Sequence, residues 1–77
     1  MAPRSQHTAA YREMCGLLRR QRHAAGLTIR ELGVKLGKPY SFVSKVERGE
    51  RRIDPIEFIA WCKACGVKPA EAIQALA

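Results

Sequence analysis

Strand-forming stretches are nearly missing from this 77-residue chain. β-Branched residues are scattered, aromatics make up 6% of the sequence, and no run of about four to eight residues alternates cleanly between apolar and polar side chains, which leaves an all-helical chain. Long hydrophobic runs are missing too. The longest segments free of Asp, Glu, Lys and Arg span seven residues, as from Ser5 to Tyr11, against about 20 for a helix that crosses a bilayer; no membrane partner is expected. The opening MAPRSQHTAAYREM lacks the apolar centre of an export signal. Cysteine is sparse and odd in number, three residues, and without an export signal these thiols are expected to stay reduced in a cytoplasmic protein. Acidic residues are scarce as well, seven against fourteen Lys and Arg.

What remains is a small, basic, helical domain. A chain this short buries only about 60% of its unfolded surface, which excludes a second domain. The net charge of +7 favours a polyanionic partner. It is also lopsided: residues 1–52 hold twelve basic and four acidic side chains, whereas residues 53–77 hold two and three.

Four glycines punctuate five helical segments. Gly26, Gly37, Gly49 and Gly66 each follow one and can supply its left-handed end. Residues 1–7 show no periodicity and read as a loose arm, with the domain proper at 8–77. From Thr8 to about Ala25, Tyr11, Met14, Cys15 and Leu18 recur as one face of an amphipathic first helix. Thr28 with Glu31 three residues on is a capping box for a second helix through Leu36, with Leu32 and Leu36 facing inward. A short third helix follows the Gly37-Lys38-Pro39 turn and runs to about Arg48, with Val43 and Val46 inside. Asp54, Pro55 and Glu57 open a fourth helix to Cys65, and Lys68-Pro69 opens a fifth through Leu76. The spacing of Phe58, Trp61, Cys62 and Cys65 predicts a buried stripe.

Two short helices joined by a tight glycine turn inside a basic bundle form the layout of a helix-turn-helix DNA reader. The residues from Leu27 to Gly37, LTIRELGVKLG, then SFVSKVERG from Ser41 to Gly49, then RRID from Arg51, resemble the lambda-repressor-like (Cro/XRE-type) helix-turn-helix family, over roughly residues 15–70. The resemblance implies a compact five-helix bundle that binds double-stranded DNA. It also implies that an Arg at the end of the first helix, here Arg22, pairs with Glu47. Two positions depart from the family pattern: Ile29 stands where Gln commonly fixes a phosphate, and Pro39 stands where Ser or Thr commonly caps the third helix.

The chemistry of the third helix agrees with a reading role. At about 100° per residue, Ser41, Ser44, Lys45 and Arg48 fall on one side, and Val43, Val46 and Glu47 on the other. Short hydroxyls let a helix approach the floor of the major groove, and Lys45 can reach guanine O6 and N7. Tyr40, Ser41, Ser44 and Lys45 are therefore the expected base readers. Thr28, with the free N–H groups of the second helix's first turn, is an expected phosphate site, joined by Lys38, Arg48, Arg51 and Arg52. Glu47, beside valines, demands a partner.

Other chemistries lack support. Trp61-Cys62-Lys63-Ala64-Cys65 resembles a thioredoxin motif only superficially, because no strand precedes it. A closed zinc site needs four ligands, and beyond this pair only Cys15, His7 and His23 remain, irregularly spaced. No nucleophile sits with a base, and no glycine loop cradles phosphate. No enzyme activity, cofactor or metal is expected.

The function expected is a sequence-specific transcriptional regulator, repressor-like, on a palindromic operator as a homodimer. Ile73 and Leu76, an apolar pair on the last helix, are the expected dimer surface. With little beyond its DNA-binding domain, such a protein is expected to be regulated by concentration, dimerisation or a partner protein encoded nearby. The alternative is a protein-interaction adaptor or antitoxin partner with little DNA readout; an RNA-binding role is disfavoured by the few aromatics available for stacking.

Overall fold

The computed structural model describes residues 8–77; the expected arm, residues 1–7, lies outside the described residues. Five α-helices follow one another: α1 (Ala9–Ala24), α2 (Ile29–Leu36), α3 (Tyr40–Glu47), α4 (Pro55–Ala64) and α5 (Pro69–Leu76). No strand occurs among the described residues.

Local chemistry sets the helix starts. Thr8 opens α1 by accepting the N–H of Tyr11 at 3.1 Å. At α2, Thr28 Oγ1 accepts the Glu31 N–H at 3.0 Å while the Thr28 N–H donates to Glu31 Oε1 at 2.9 Å. Asp54 and Glu57 repeat this reciprocal box at α4, with Pro55 in the first helical position. Each box satisfies donors that the helix itself leaves without acceptors. By contrast, α3 and α5 begin at Pro39 and Lys68 without a side-chain cap.

Glycine fixes the α2–α3 turn in two ways. Gly37 has φ +68°, a conformation that strains residues with a Cβ. Gly33 lies inside α2, and a Cβ there would stand 2.9 Å from the Lys38 carbonyl and 3.4 Å from the Tyr40 backbone. Only a hydrogen lets the start of α3 come this close to α2.

The core gathers Leu18, Leu32, Val43, Val46, Trp61 and Cys62, all fully buried, with Phe42 and Phe58 beside them. Burying a side chain such as Leu18 or Val43 stabilises the fold by roughly 1.5–3 kcal/mol. The Trp61 indole N–H donates to the Leu18 carbonyl at 3.1 Å, so the largest core side chain carries no orphan donor. Tyr11 Oη accepts the Ile53 N–H at 3.0 Å and ties α1 to the loop before α4. α5 closes the bundle against α1 and α4 and itself buries only Ala72.

One core expectation is corrected. α4 ends at Ala64, and Cys65 is its capping residue, half-buried, not the fourth member of a buried stripe. The helical spacing stops at that position, and the side chain packs against the edge of the core.

Candidate nucleic-acid interface

The outer surface of α3 begins with Tyr40, half exposed, and continues through half-buried Ser41 and Ser44 to exposed Lys45 and Arg48. Phe42, Val43 and Val46 turn the other side into the core. Beneath the helix, the structure brings Arg22 and Glu47 together. Arg22 Nε donates to Glu47 Oε2 at 2.6 Å and Nη2 donates to Oε1 at 3.0 Å, with the two side chains only 8% and 6% exposed. A third donor, Nη1, reaches the Leu27 carbonyl at 2.9 Å. One guanidinium thus joins the end of α1, the α1–α2 turn and the end of α3. The hydrogen bond to Glu47 pushes the basicity of Arg22 higher still, against the opposing effect of burial. The geometry of the pair is the bidentate fork that Arg makes best.

The first turn of α2 lies on one flank of α3. Thr28, Ile29 and Arg30 line a surface depression of about 550 Å³ together with Tyr40, Ser44 and Arg22. The Arg30 guanidinium carbon sits 4.2 Å from the Tyr40 ring centroid. Thr28 is less available to an anion than the sequence suggests, because its hydroxyl already accepts the Glu31 N–H and the Glu31 carboxylate takes its own N–H. The N–H groups of Ile29 and Arg30 are the ones the first turn leaves without helical acceptors. A neighbouring hollow adds Arg19 and Arg48 beside Ile29 and Ser44.

On the opposite flank, the α2–α3 turn meets the α3–α4 loop. Lys38 and Arg51 lie over the Phe42 ring, 5.2 and 4.7 Å from its centroid. Both point at one carboxylate: Lys38 Nζ is 3.6 Å from Glu57, and Arg51 approaches it with two nitrogens at 3.3 and 3.4 Å. Arg52 sits over the Tyr11 ring at 5.4 Å. Arg48 is also engaged, donating to Glu50 at 3.1 and 3.0 Å and to the Ser44 hydroxyl.

Of the residues singled out in the sequence, Tyr40, Ser41, Ser44, Lys45 and Arg48 share one helix surface, with Thr28 on one flank and Lys38 and Arg51 on the other. Sequence reasoning missed Arg30 and Arg19 as members of the surface, and it read Glu57 as a helix cap without its two cations. The signal for Arg30 was the brevity of the α2–α3 turn, which returns the chain so that the first residue of α3 meets the first turn of α2.

Ile73 and Leu76 part company. Ile73 is 55% exposed and lines an apolar groove of about 520 Å³ with Met14, Ile53, Phe58, Ile59 and Pro69, whereas Leu76 packs against the core. The cysteines are all free. Burial pushes the thiols of Cys15, Cys62 and Cys65 up, away from the thiolate that redox chemistry needs. Among the described residues, no group of three or more His, Cys, Asp or Glu could hold a metal ion, and no helix is long and apolar enough to cross a membrane. His7 lies outside the described residues.

Comparison with known proteins identifies the family of this fold. A family model described as a helix-turn-helix domain matches residues 13–76. An XRE-family like protein from Pseudomonas syringae pv. tomato is 46% identical and superposes with a TM-score of 0.86 over 91% of this chain and 85% of that one. The restriction-modification controller protein C.AhdI from Aeromonas hydrophila is 30% identical, with a TM-score of 0.72 over 78% and 87%. The clp gene regulator ClgR from Corynebacterium glutamicum, 23% identical with a TM-score of 0.80 over 90% and 73%, shares the fold. No curated protein matches the chain. The chain belongs to the Cro/XRE-type helix-turn-helix family, whose members are DNA-binding transcriptional regulators and not enzymes.

Proposed function

We propose that this regulator is a cytoplasmic repressor that occupies a palindromic operator as a homodimer, with α3 of each copy in a major groove. The observation that carries the reading is the outer surface of α3: short hydroxyls and Lys45, a cation with no ion pair among the described residues, on a helix whose base is clasped to α1 by Arg22 and Glu47. Tyr40, Ser41, Ser44 and Lys45 face the bases. Thr28, Lys38, Arg48, Arg51 and Arg52 face phosphates on either side, Lys38, Arg48 and Arg51 by exchanging a carboxylate for a phosphate. The family's Gln and Ser or Thr are missing at Ile29 and Pro39, so docking leans on backbone N–H groups and on Arg side chains.

A dimer follows from information. One short helix reads only a few base pairs, too few to single out a site among about 10⁶ or more competitors. Two copies spaced about 34 Å apart meet successive major grooves. Their contact belongs on the α4–α5 side, where residues 53–77 are nearly neutral and Ile73 stands open beside the apolar groove. Because Leu76 is engaged with the core, Ile73 carries this contact with Ile59.

The test is a gel shift with the DNA upstream of the protein's own gene at about 0.15 M salt, alongside sedimentation of wild type and Ile73→Asp. The expected result is a salt-sensitive, sequence-selective complex of two copies, and a folded monomeric variant that keeps only weak, unselective binding. A wild type that stays monomeric both free and on DNA would remove the dimer. A wild type with no preference among duplexes would remove the repressor and leave the adaptor reading, with its partner protein on the apolar groove.

A further inference from the structure

The end of α4 carries two cysteines that the DNA-reading surface does not use. Cys62 is fully buried, and Cys65, three residues on, is half-buried at the helix end; both are free thiols. The Cys65 N–H is shared between the Trp61 and Cys62 carbonyls, 3.1 Å from each. The bond to Cys62 tightens the last turn, and in a turn of this kind side chains three apart stand nearly one above the other. The pair therefore runs from the core, at Cys62, toward solvent, at Cys65. Beside it α1 contributes Gln21, only 7% exposed. The Gln21 side chain hydrogen-bonds the Cys62 thiol, while its Oε1 is buried and has no hydrogen-bond partner among the described residues. An S–H would give its proton to that oxygen. An amide that turns its N–H toward sulfur and leaves its own oxygen unpaired is arranged for a sulfur that carries negative charge. Burial pushes both thiols up, so at neutral pH such a sulfur forms only when a soft cation takes the place of the proton.

We infer that Cys62 and Cys65 form a two-coordinate site for a soft monovalent cation of the copper(I) class, with Gln21 donating to the Cys62 sulfur. Thiolates select soft cations over hard ones. Two metal–sulfur bonds of about 2.3 Å hold the sulfurs up to about 4.6 Å apart, which suits side chains separated by one tight turn of about 6 Å. Two ligands fall short of the four that a structural zinc takes, and they complete the linear coordination of a monovalent ion. Binding is an exchange: two S–H bonds break, two sulfur–metal bonds form, and two protons leave to water. Charge selects among soft cations. A monovalent ion with two thiolates leaves a net charge of −1, whereas a divalent ion leaves none. The charges acting on Cys65 are those of Arg22 and Lys35 against that of Glu47, two positive and one negative, and they balance the first complex. The site is independent of the DNA-reading role, and its test reads the cation alone.

The experiment offers the reduced 77-residue chain copper(I) from a coloured chelator under anaerobic conditions, across a neutral pH series, and reads transfer from the loss of colour. The expected result is one cation per chain, with an apparent affinity that rises about hundredfold per pH unit because two protons leave for each cation bound; a single thiol gives about tenfold. Cys65→Ser is expected to weaken binding by at least about tenfold and to lower the pH slope to that of one thiol, while Cys15→Ser leaves both unchanged. Zinc(II) in about tenfold excess should not displace the copper. Circular-dichroism melting identifies a variant that fails to fold, and the stoichiometry and two-proton slope of the wild type then decide alone. A wild-type slope of one proton, half a cation per chain, displacement by zinc(II), a loss in folded Cys15→Ser, or undiminished affinity in Cys65→Ser would each overturn the inference.

Discussion

The two flanks of α3 both carry cations and differ in what those cations are doing. Toward the start of α2, Arg30 rests on Tyr40 and makes no ion pair among the described residues. Toward the α3–α4 loop, Lys38 and Arg51 share Glu57, a side chain that is only 17% exposed and that also accepts the Asp54 N–H at 3.0 Å. Formal charge and available charge are therefore different quantities on this surface. A phosphate arriving at the first flank meets open donors; one arriving at the second displaces a carboxylate fixed in place by its helix-capping duty. Exposed ion pairs contribute about 0–1 kcal/mol, so the exchange is feasible, and it makes the second flank weaker and less discriminating than its charge suggests.

The strongest way to break this comparison is to remove the clasp on which both flanks stand. Arg22→Ala or Glu47→Ala should each lower unfolding free energy by about 3–5 kcal/mol, because each leaves an uncompensated charge in a nearly closed site. Arg22→Ala also frees the Leu27 carbonyl. Urea denaturation of both variants reads the effect. Losses below about 1 kcal/mol for both would place the pair in the class of exposed bridges and would leave α3 anchored by its apolar side alone.

Lys45 comes next in size and sharpens the contrast between reading and clamping. It has no ion pair among the described residues and projects from the middle of the outer surface of α3. Lys45→Ala should cost about 1–3 kcal/mol on the preferred duplex and relax one base position, whereas Lys38→Ala or Arg51→Ala should weaken all duplexes alike and flatten the salt dependence by about one unit at most. Binding isotherms over a salt series separate the two behaviours. If Lys45→Ala weakened every duplex equally, the recognition surface would have to be turned toward Ser41 and Tyr40.

Most of the fold was legible because local chemistry and the global pattern agree. The Thr28/Glu31 and Asp54/Glu57 boxes fix two helix starts from spacing alone, and Gly37 marks the turn that defines the motif. The inner side of α3 also follows from periodicity at Val43 and Val46. The unread parts are those decided between elements. Cys65 sits half-buried at the edge of the core, where α4 ends one residue early, a boundary that spacing cannot fix. Leu76 turns inward while Ile73 stays open, although the two share an i, i+3 relation, because α5 packs at an angle set by α1 and α4. The flanks were legible as charge and illegible as pairing: nothing in the order of residues tells that Lys38 and Arg51 meet over Phe42 and converge on a carboxylate that spacing had assigned to a cap.

That convergence carries the smallest and most specific prediction. Glu57→Gln keeps a side-chain carbonyl to accept the Asp54 N–H, and Gln serves at this capping position as Glu does. It removes the charge that holds Lys38 and Arg51. The variant should therefore fold with nearly unchanged stability, within about 1 kcal/mol of wild type given the exposure of the two cations. Its effect should appear in binding: tighter association with selected and unselected duplexes alike, by a few-fold at low salt, and a salt dependence steeper by up to about two units if both released cations find a phosphate. The ratio of selected to unselected affinity should fall, because the gain is indifferent to sequence. Glu50→Gln is the matched control, since Glu50 is exposed and its ion pair among the described residues is with Arg48; it should shift binding less. If Glu57→Gln left the salt dependence unchanged, Lys38 and Arg51 would be structural partners of Glu57 that never meet DNA, and the working flank of the recognition helix would be the one that begins with Arg30.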